Sequence, residues 1–153
     1  MSEPDARPAA HHESDPGQEV ARSLNHFAWY GFNARYWDLP GEERGKVLSA
    51  WLGGLHEAAR IHLYQVFPAE ANAELLVWSA VPLPDPQDAA AFFAAHARAT
   101  VPCRRFVEPR AVLWGFTGGS VYSKARSAQE IDPLLPARRR YLVIYPFAKT
   151  TEW

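Results

Sequence analysis

The sequence has little cysteine, no long apolar run and almost no net charge. Its 153 residues include a single cysteine, Cys103, which excludes an internal disulfide and a cysteine-based zinc or iron–sulfur site. This scarcity is typical of proteins in a reducing compartment, so we expect a cytoplasmic location. The 16 Lys and Arg residues nearly balance the 17 Asp and Glu residues. The chain therefore has no overall field to attract nucleic acid or an anionic membrane.

Segments for targeting or membrane insertion are also missing. Apolar runs are broken by Asn, Arg, Glu or Pro before they reach the length of a membrane span. The start of the chain lacks the basic-then-apolar pattern of a secretory signal and is instead rich in Pro, Glu, Asp and Ala. We expect residues 1–20 to be a disordered tail, in which the adjacent His11 and His12 lack the geometry of a preformed metal site.

Strand and helix patterns alternate after the tail. Interleaved aromatic residues favour a first strand, and Asp38-Leu39-Pro40 followed by two glutamates is a helix start. Apolar positions at three- and four-residue spacing then form a helical stripe. The predicted elements are a strand over His26–Asp38, a helix with its stripe from Leu48 to Leu63, strands over Ile61–Phe67 and Ala73–Leu83, a helix from Asp85 to Pro102, and a strand over Ala111–Phe116.

The order strand, helix, strand, strand, helix, strand is the split βαβ, ferredoxin-like arrangement of the α+β class. We predict this domain over residues 21–122, as an antiparallel sheet with both helices on one face. The other face needs a cover, which could be a second sheet, a neighbouring subunit or a flat apolar ligand such as a porphyrin. Gly53 and Gly54 predict close packing of the first helix against the sheet.

The end of the chain has a different character. Residues 123–140 are polar and end in three consecutive arginines, and we interpret them as a linker. An apolar run over Tyr141–Lys149 then predicts another strand. We expect residues 141–153 to be the first strand of a second domain, truncated after that strand.

The last nine residues carry the most specific motif, Tyr145-Pro146-Phe147-Ala148-Lys149-Thr150-Thr151-Glu152-Trp153. Together with Trp29–Trp37, Leu39–Arg44 and Glu74–Trp78, this motif resembles the chlorite dismutase-like superfamily, and more closely its coproheme decarboxylase branch. The resemblance implies a subunit of two ferredoxin-like halves, a member of the dimeric α+β barrel family, assembled as a homopentamer. It also implies that the porphyrin lies in the C-terminal half, so that the motif strand begins the haem-binding domain.

The resemblance further implies an activity, the peroxide-dependent decarboxylation of iron coproporphyrin III (coproheme) to protohaem (haem b) in haem biosynthesis. Tyr145 then forms the radical that attacks a propionate, and Lys149 lies near another propionate. Pro146, Phe147 and Ala148 line the same edge of the pocket. Strand alternation agrees, because Tyr145, Phe147 and Lys149 share one side and the first and last of them lie about 13 Å apart, a span that suits opposite edges of a porphyrin.

Two ligands that the resemblance implies have no clear counterpart. In the family, the histidine that ligates the iron follows the motif tyrosine. No histidine follows His96 in this chain, so it contains no candidate for this axial ligand and we assign no metal ligand. At the position of the propionate-binding arginine of several relatives the chain has Glu130–Asp132. Arg126 or the Arg138–Arg140 run are the open alternatives.

Other functions also stay open. The same fold could carry chlorite dismutation or haem peroxidase activity, or the chain could be a truncated oligomerising domain that binds no haem. Whether the chain is an enzyme by itself depends on this choice. We interpret Cys103 as a structural thiol rather than a nucleophile. The scattered histidines His26, His56, His62 and His96 are interpreted as surface or structural side chains.

Overall fold

The computed structural model describes residues 23–83, 85, 88–117, 134 and 140–144. These residues form one antiparallel sheet with two long helices. The strands are β1 (Ser23–Phe32), β2 (Arg60–Gln65), β3 (Leu75–Pro82) and β4 (Val107–Thr117). The helices are α1 (Ala34–Trp37), α2 (Gly41–Ala58) and α3 (Ala89–Thr100), and a 3₁₀ turn over Val101–Cys103 follows α3.

The strand order across the sheet is β2-β3-β1-β4. The central strand β1 is antiparallel to both neighbours, with Phe27 opposite Trp78 of β3 on one side and opposite Leu113 of β4 on the other. Sequentially adjacent β2 and β3 are also antiparallel. This order confirms the predicted α+β, ferredoxin-like fold.

The main core lies between the sheet and the helices. Even-numbered residues of β1, among them Ala28 and Tyr30, lie in this core. They pack with Trp51 and Leu55 of α2 and with Val77 of β3. The predicted helical stripe therefore faces the sheet, since Trp51 and Leu55 are almost completely buried.

The predicted first strand is too long. It was expected to reach Asp38, but β1 ends at Phe32 and the next residues form α1. Asn33 leaves the ladder because its backbone N–H donates to the Phe106 carbonyl (3.1 Å) and its side-chain amide donates to the Arg105 carbonyl (3.0 Å). The chain then turns, and the ring of Tyr36 stacks on that of Phe32 at 4.3 Å.

Other element boundaries also differ from the prediction. Helix α2 follows Pro40 rather than an Asp38 cap, and it ends at Ala58. Leu63 therefore belongs to β2 but still packs against the main core. Strand β4 starts earlier than expected and includes Arg110, which forms an ion pair with Glu108 at 3.0 Å.

The glycine pair in α2 does not pack against the sheet as predicted. A Cβ atom on Gly54 would lie 3.2 Å from the Ala99 Cβ, so the close approach is between α2 and α3. A Cβ atom on Gly53 would meet open space. A helix–helix crossing, rather than helix–sheet packing, therefore accounts for the glycine at position 54.

The tail over residues 1–20 lies outside the described part of the chain, as does almost all of the linker over 123–140. The predicted domain boundaries therefore stay predictions. Cys103 is buried within the main core. Within the ranges that the structure describes, no helix is both long and apolar enough to cross a membrane.

Candidate functional site

The motif residues lie outside the described residues. This holds for Tyr145, Pro146, Phe147, Ala148 and Lys149 alike, and the roles assigned to them stay predictions. The chain is described up to Ile144, the residue directly before the motif. The surroundings of residues 140–144 are thus the nearest structural information on the candidate site.

The side of the sheet opposite α2 and α3 is named the open face. Odd-numbered residues of β1 and even-numbered residues of β2 and β3 point to this side, as the strand register requires. The open face carries a cluster of aromatic and aliphatic side chains: Phe27, Trp29, Tyr64, Leu76 and Trp78. The rings of Phe27 and Trp78 stack with their centroids 5.5 Å apart.

Polar groups in the middle of the open face bond to one another. The indole N–H of Trp78 donates to the Asn25 Oδ1 at 2.8 Å. The amide nitrogen of Asn25 donates to the Thr117 hydroxyl at 2.9 Å. The imidazole of His62, also buried, lies against Trp78 at 4.8 Å. These contacts connect the strands. The polar groups here bond to protein partners, as those of a protein interior do, rather than to solvent.

Part of the open face is covered by residues 140–144. Leu142 and Ile144 pack against the cluster formed by Tyr64, Leu76 and Trp78. The side chains at the alternate positions point away from the cluster, as their exposure shows: Tyr141 is 75% exposed and Val143 is 66% exposed. The segment forms no strand over 141–144, so the strand predicted over Tyr141–Lys149 is absent from its first four residues.

The helix side of the sheet holds a second polar group. The Tyr30 hydroxyl is hydrogen-bonded to the His96 Nε2 at 2.9 Å. The imidazole of His26, which lies on the same face of β1 as Tyr30, is 4.6 Å from that of His96. Burial raises the pKa of Tyr30 to about 12. Sequence reasoning treated these histidines singly, although His26 and Tyr30 at even positions of one apolar strand share a face.

Metal-ligating side chains do not cluster in the described ranges, where no group of three His, Cys, Asp or Glu residues could hold a metal ion. The arginine nearest the motif is engaged locally, as the Arg140 guanidinium lies 5.4 Å above the Tyr141 ring. Arg126, Arg138 and Arg139 lie outside the described residues.

A cleft of about 390 Å³ opens beside Trp37, Gln65, Phe67 and Glu74. The backbone N–H of Phe32 donates to the Glu74 carboxylate at 2.8 Å. The Glu74 carboxylate therefore holds the end of β1 in place, in addition to lining the cleft. These four described lining residues were not among the predicted site residues.

A profile of the family described as chlorite dismutase matches residues 41–153, which is more than half of the chain. The chain belongs to the chlorite dismutase family. Among curated proteins no match is found. The assignment to the coproheme decarboxylase branch rests on the sequence resemblance and remains a proposal.

Solved structures of the chlorite dismutase from Candidatus Nitrospira defluvii share the fold. A tryptophan variant in complex with cyanide has a TM-score of 0.51 and 19% identity, covering 65% of this chain and 41% of that one. An arginine-to-lysine variant has the same TM-score and identity and covers 69% and 43%. The complex with imidazole likewise has a TM-score of 0.51 and 19% identity, and covers 65% and 42%. This chain thus spans about two-fifths of the length of these structures.

Proposed function

We propose that this chain takes part in the peroxide-dependent decarboxylation of iron coproporphyrin III, and that it contributes the propionate edge of the site through Tyr145 and Lys149. Family membership and the motif support the proposal. The observation that carries it is the alternation of side chains over residues 141–144, where Leu142 and Ile144 face the sheet and Tyr141 and Val143 face away.

This alternation predicts the direction of the motif. Side chains of an extended chain alternate between two sides. If the alternation continues past Ile144, then Tyr145, Phe147 and Lys149 point away from the open face. The porphyrin would then lie on the far side of the 141–149 segment and not on the open face itself. Pro146 and Ala148 would support the segment from the sheet side instead of touching the ligand.

The side chains of the motif are better suited to bind propionates than to ligate the iron. A lysine ammonium offers three donors to a carboxylate, and the phenol of Tyr145 would lie beside a second propionate, about 13 Å away along the strand. The described histidines do not fit as axial ligands beside the motif. His26, His56 and His96 lie on the helix side of the sheet, and His62 is packed on Trp78. In this proposal the axial ligand therefore comes from outside the described residues.

Titration with two porphyrins tests this division of roles. Because the chain supplies the propionate edge and no axial ligand, metal-free and ferric coproporphyrin III should bind with similar dissociation constants. Lys149→Met should weaken both about tenfold, the lower end of what a charge-assisted hydrogen bond contributes. The control Lys46→Met removes an exposed lysine paired with Glu42 on α2 and should change neither. Absence of binding for both porphyrins would refute the proposal and favour a domain that binds no haem.

Decarboxylation is tested by Tyr145→Phe, with imidazole added as an external ligand to ferric coproporphyrin III and peroxide as oxidant. The variant should bind the porphyrin normally but release no carbon dioxide. Tyr141→Phe removes the same hydroxyl four residues earlier, at an exposed position, but keeps the aromatic ring, and it is the matched control for the loss of a hydroxyl. Full activity of Tyr145→Phe would exclude the tyrosine mechanism.

Chlorite dismutation is the second candidate, favoured by the name of the family. Oxygen release from chlorite by the porphyrin-loaded chain, unaffected by Tyr145→Phe, would support this reaction instead. We also propose that the protein forms a homo-oligomer, by resemblance a pentamer, which sedimentation velocity can measure on the same samples.

A further inference from the structure

Two histidines are buried between the sheet and α3. His26 projects from β1 and is 4% exposed, and His96 projects from α3 and is 9% exposed. Their rings meet edge to face with centroids 4.6 Å apart. Aromatic rings of α3 complete the enclosure, since His26 lies 5.6 Å from Phe92 and 5.9 Å from Phe93.

The side chains that form hydrogen bonds around this pair are uncharged. The Nε2 of His96 bonds the Tyr30 hydroxyl, which also bonds Thr100. Thr100 in turn accepts from the Trp51 indole N–H of α2 at 3.3 Å. Both Nδ1 atoms, of His26 and of His96, are buried without a hydrogen-bond partner among the described residues.

No negative charge compensates the pair in the described part of the chain. The side chains packed around it from the described elements are uncharged: Tyr30 from β1, Ser79 opposite His26 on β3, Trp51 from α2, and Phe92, Phe93 and Thr100 from α3. On the β4 side, Phe93 is covered by Trp114 at 5.1 Å. The basic residue of α3, Arg98, is exposed to solvent. The ion pairs found, Lys46–Glu42 and Arg110–Glu108, do not involve either histidine.

We infer that the His26–His96 pair is an acid-sensitive latch that holds α3 on the sheet. In the neutral state the two rings pack as part of the core. Protonation of either ring places an uncompensated charge among aromatic side chains, next to a second imidazole. Release of α3 exposes that charge to water and uncovers the cluster formed by Leu24, Leu83 and Phe92.

The sign of the effect follows from the titration of the pair. Burial, followed by the neighbouring His96, lowers the pKa of His26 to about 4 from 6.5, and burial also lowers the pKa of His96. The released state therefore binds protons more readily than the docked state below about pH 6.5. At pH 5.0 His26 alone favours release about 30-fold relative to pH 7.5.

Hydrogen–deuterium exchange of the full chain at pH 7.5 and 5.0, corrected for the intrinsic pH dependence of exchange, measures this release. Amides of α3 should open at least about 30-fold more often at pH 5.0, because His96 adds to the contribution of His26. In His26→Leu, which keeps a side chain of similar size, the increase should fall to a few-fold, the remainder being due to His96. His56→Leu removes an exposed imidazole of α2 and should behave like the wild type.

Two results would overturn the latch. The first is a wild-type increase in α3 opening that His26→Leu leaves unchanged. The second, which needs no variant, is a pKa of His26 near 6.5 in the folded protein, measured by exchange of its ring C2 proton. If His26→Leu fails to fold, His26→Gln and this ring measurement decide the matter. None of these readouts involves porphyrin, so failure of the proposed function leaves the latch testable.

Discussion

Replacing Leu142 and Ile144 together by serine removes the two side chains that hold residues 140–144 on the open face. Both side chains are half-buried against the cluster around Trp78. Full burial of a leucine or isoleucine contributes about 1.5–3 kcal/mol, so half-burial of both contributes about 2 kcal/mol in total. The double variant should therefore lower the free energy of unfolding by about 2 kcal/mol.

The control exchanges the alternate pair, Tyr141→Ser with Val143→Ser. These side chains are mostly exposed, so the control should cost less than about 0.5 kcal/mol. Urea unfolding followed by tryptophan fluorescence suits the comparison, because Trp78 lies under the segment. Equal losses for the two double variants would show that the segment does not alternate as described, and the direction proposed for Tyr145 would lose its support.

The two double variants should also separate by porphyrin affinity. Tyr141 and Val143 lie on the side to which the proposed function directs Tyr145 and Lys149. Their replacement should therefore weaken coproporphyrin III binding while leaving stability nearly unchanged, and the Leu142 and Ile144 exchange should lower stability first. A porphyrin bound on the open face would reverse this pattern.

Three further predictions concern the sheet and its helices. Asn25→Ala leaves the Trp78 indole N–H without its acceptor and should cost about 2 kcal/mol in urea unfolding; the loss should halve in a Trp78→Phe background, and equal losses would contradict the role of this bond. Gly53→Ala should stabilise α2 by about 1 kcal/mol, whereas Gly54→Ala should gain less because its methyl crowds α3; equal thermal shifts would refute that crossing. Between pH 7 and pH 4 the free energy of unfolding should fall by about 3 kcal/mol through His26, whose folded pKa of about 4 lies below 6.5; a flat pH profile, or one unchanged in His26→Leu, would be incompatible with this.

Sequence periodicity was sufficient for the fold because burial in this domain follows local spacing. Trp51 and Leu55 are four residues apart in the sequence, and both lie in the core. The end of β1 could not be predicted in this way. Tyr36 and Trp37 have the aromatic character of strand residues, yet the chain leaves the sheet at Asn33. The cause is a bond to the carbonyl of Arg105, 72 residues away in sequence, which no local pattern encodes.

The candidate site divides similarly. The motif at Tyr145 was found through a family resemblance, and the family itself is now shown. The proposed direction of the motif side chains depends on what the preceding residues contact, and the packing of Leu142 and Ile144 is the observation that supports it. The pairing of His26 with His96 joins residues that are distant in sequence, so composition could indicate only that each was structural.

Strand β1 contributes to both proposed features, the porphyrin site and the latch, through its two opposite faces. Its odd residues, such as Asn25 and Phe27, build the open face beneath residues 140–144, and its even residues, such as His26 and Tyr30, hold α3. Because β1 is hydrogen-bonded to β3 and β4 along almost its whole length, we expect the ladder under the open face to stay intact when α3 is released.

Porphyrin binding should therefore survive opening of the latch. The propionates of coproporphyrin III titrate in the same acidic range, so wild type and His26→Leu must be compared at one pH rather than across pH values. At pH 5.0 the two proteins should bind coproporphyrin III equally well although α3 opens far more often in the wild type. If the wild type instead binds more weakly than His26→Leu at pH 5.0, then the helix side of the sheet contributes to the porphyrin site. The proposal that the site lies only on the open-face side would then be wrong.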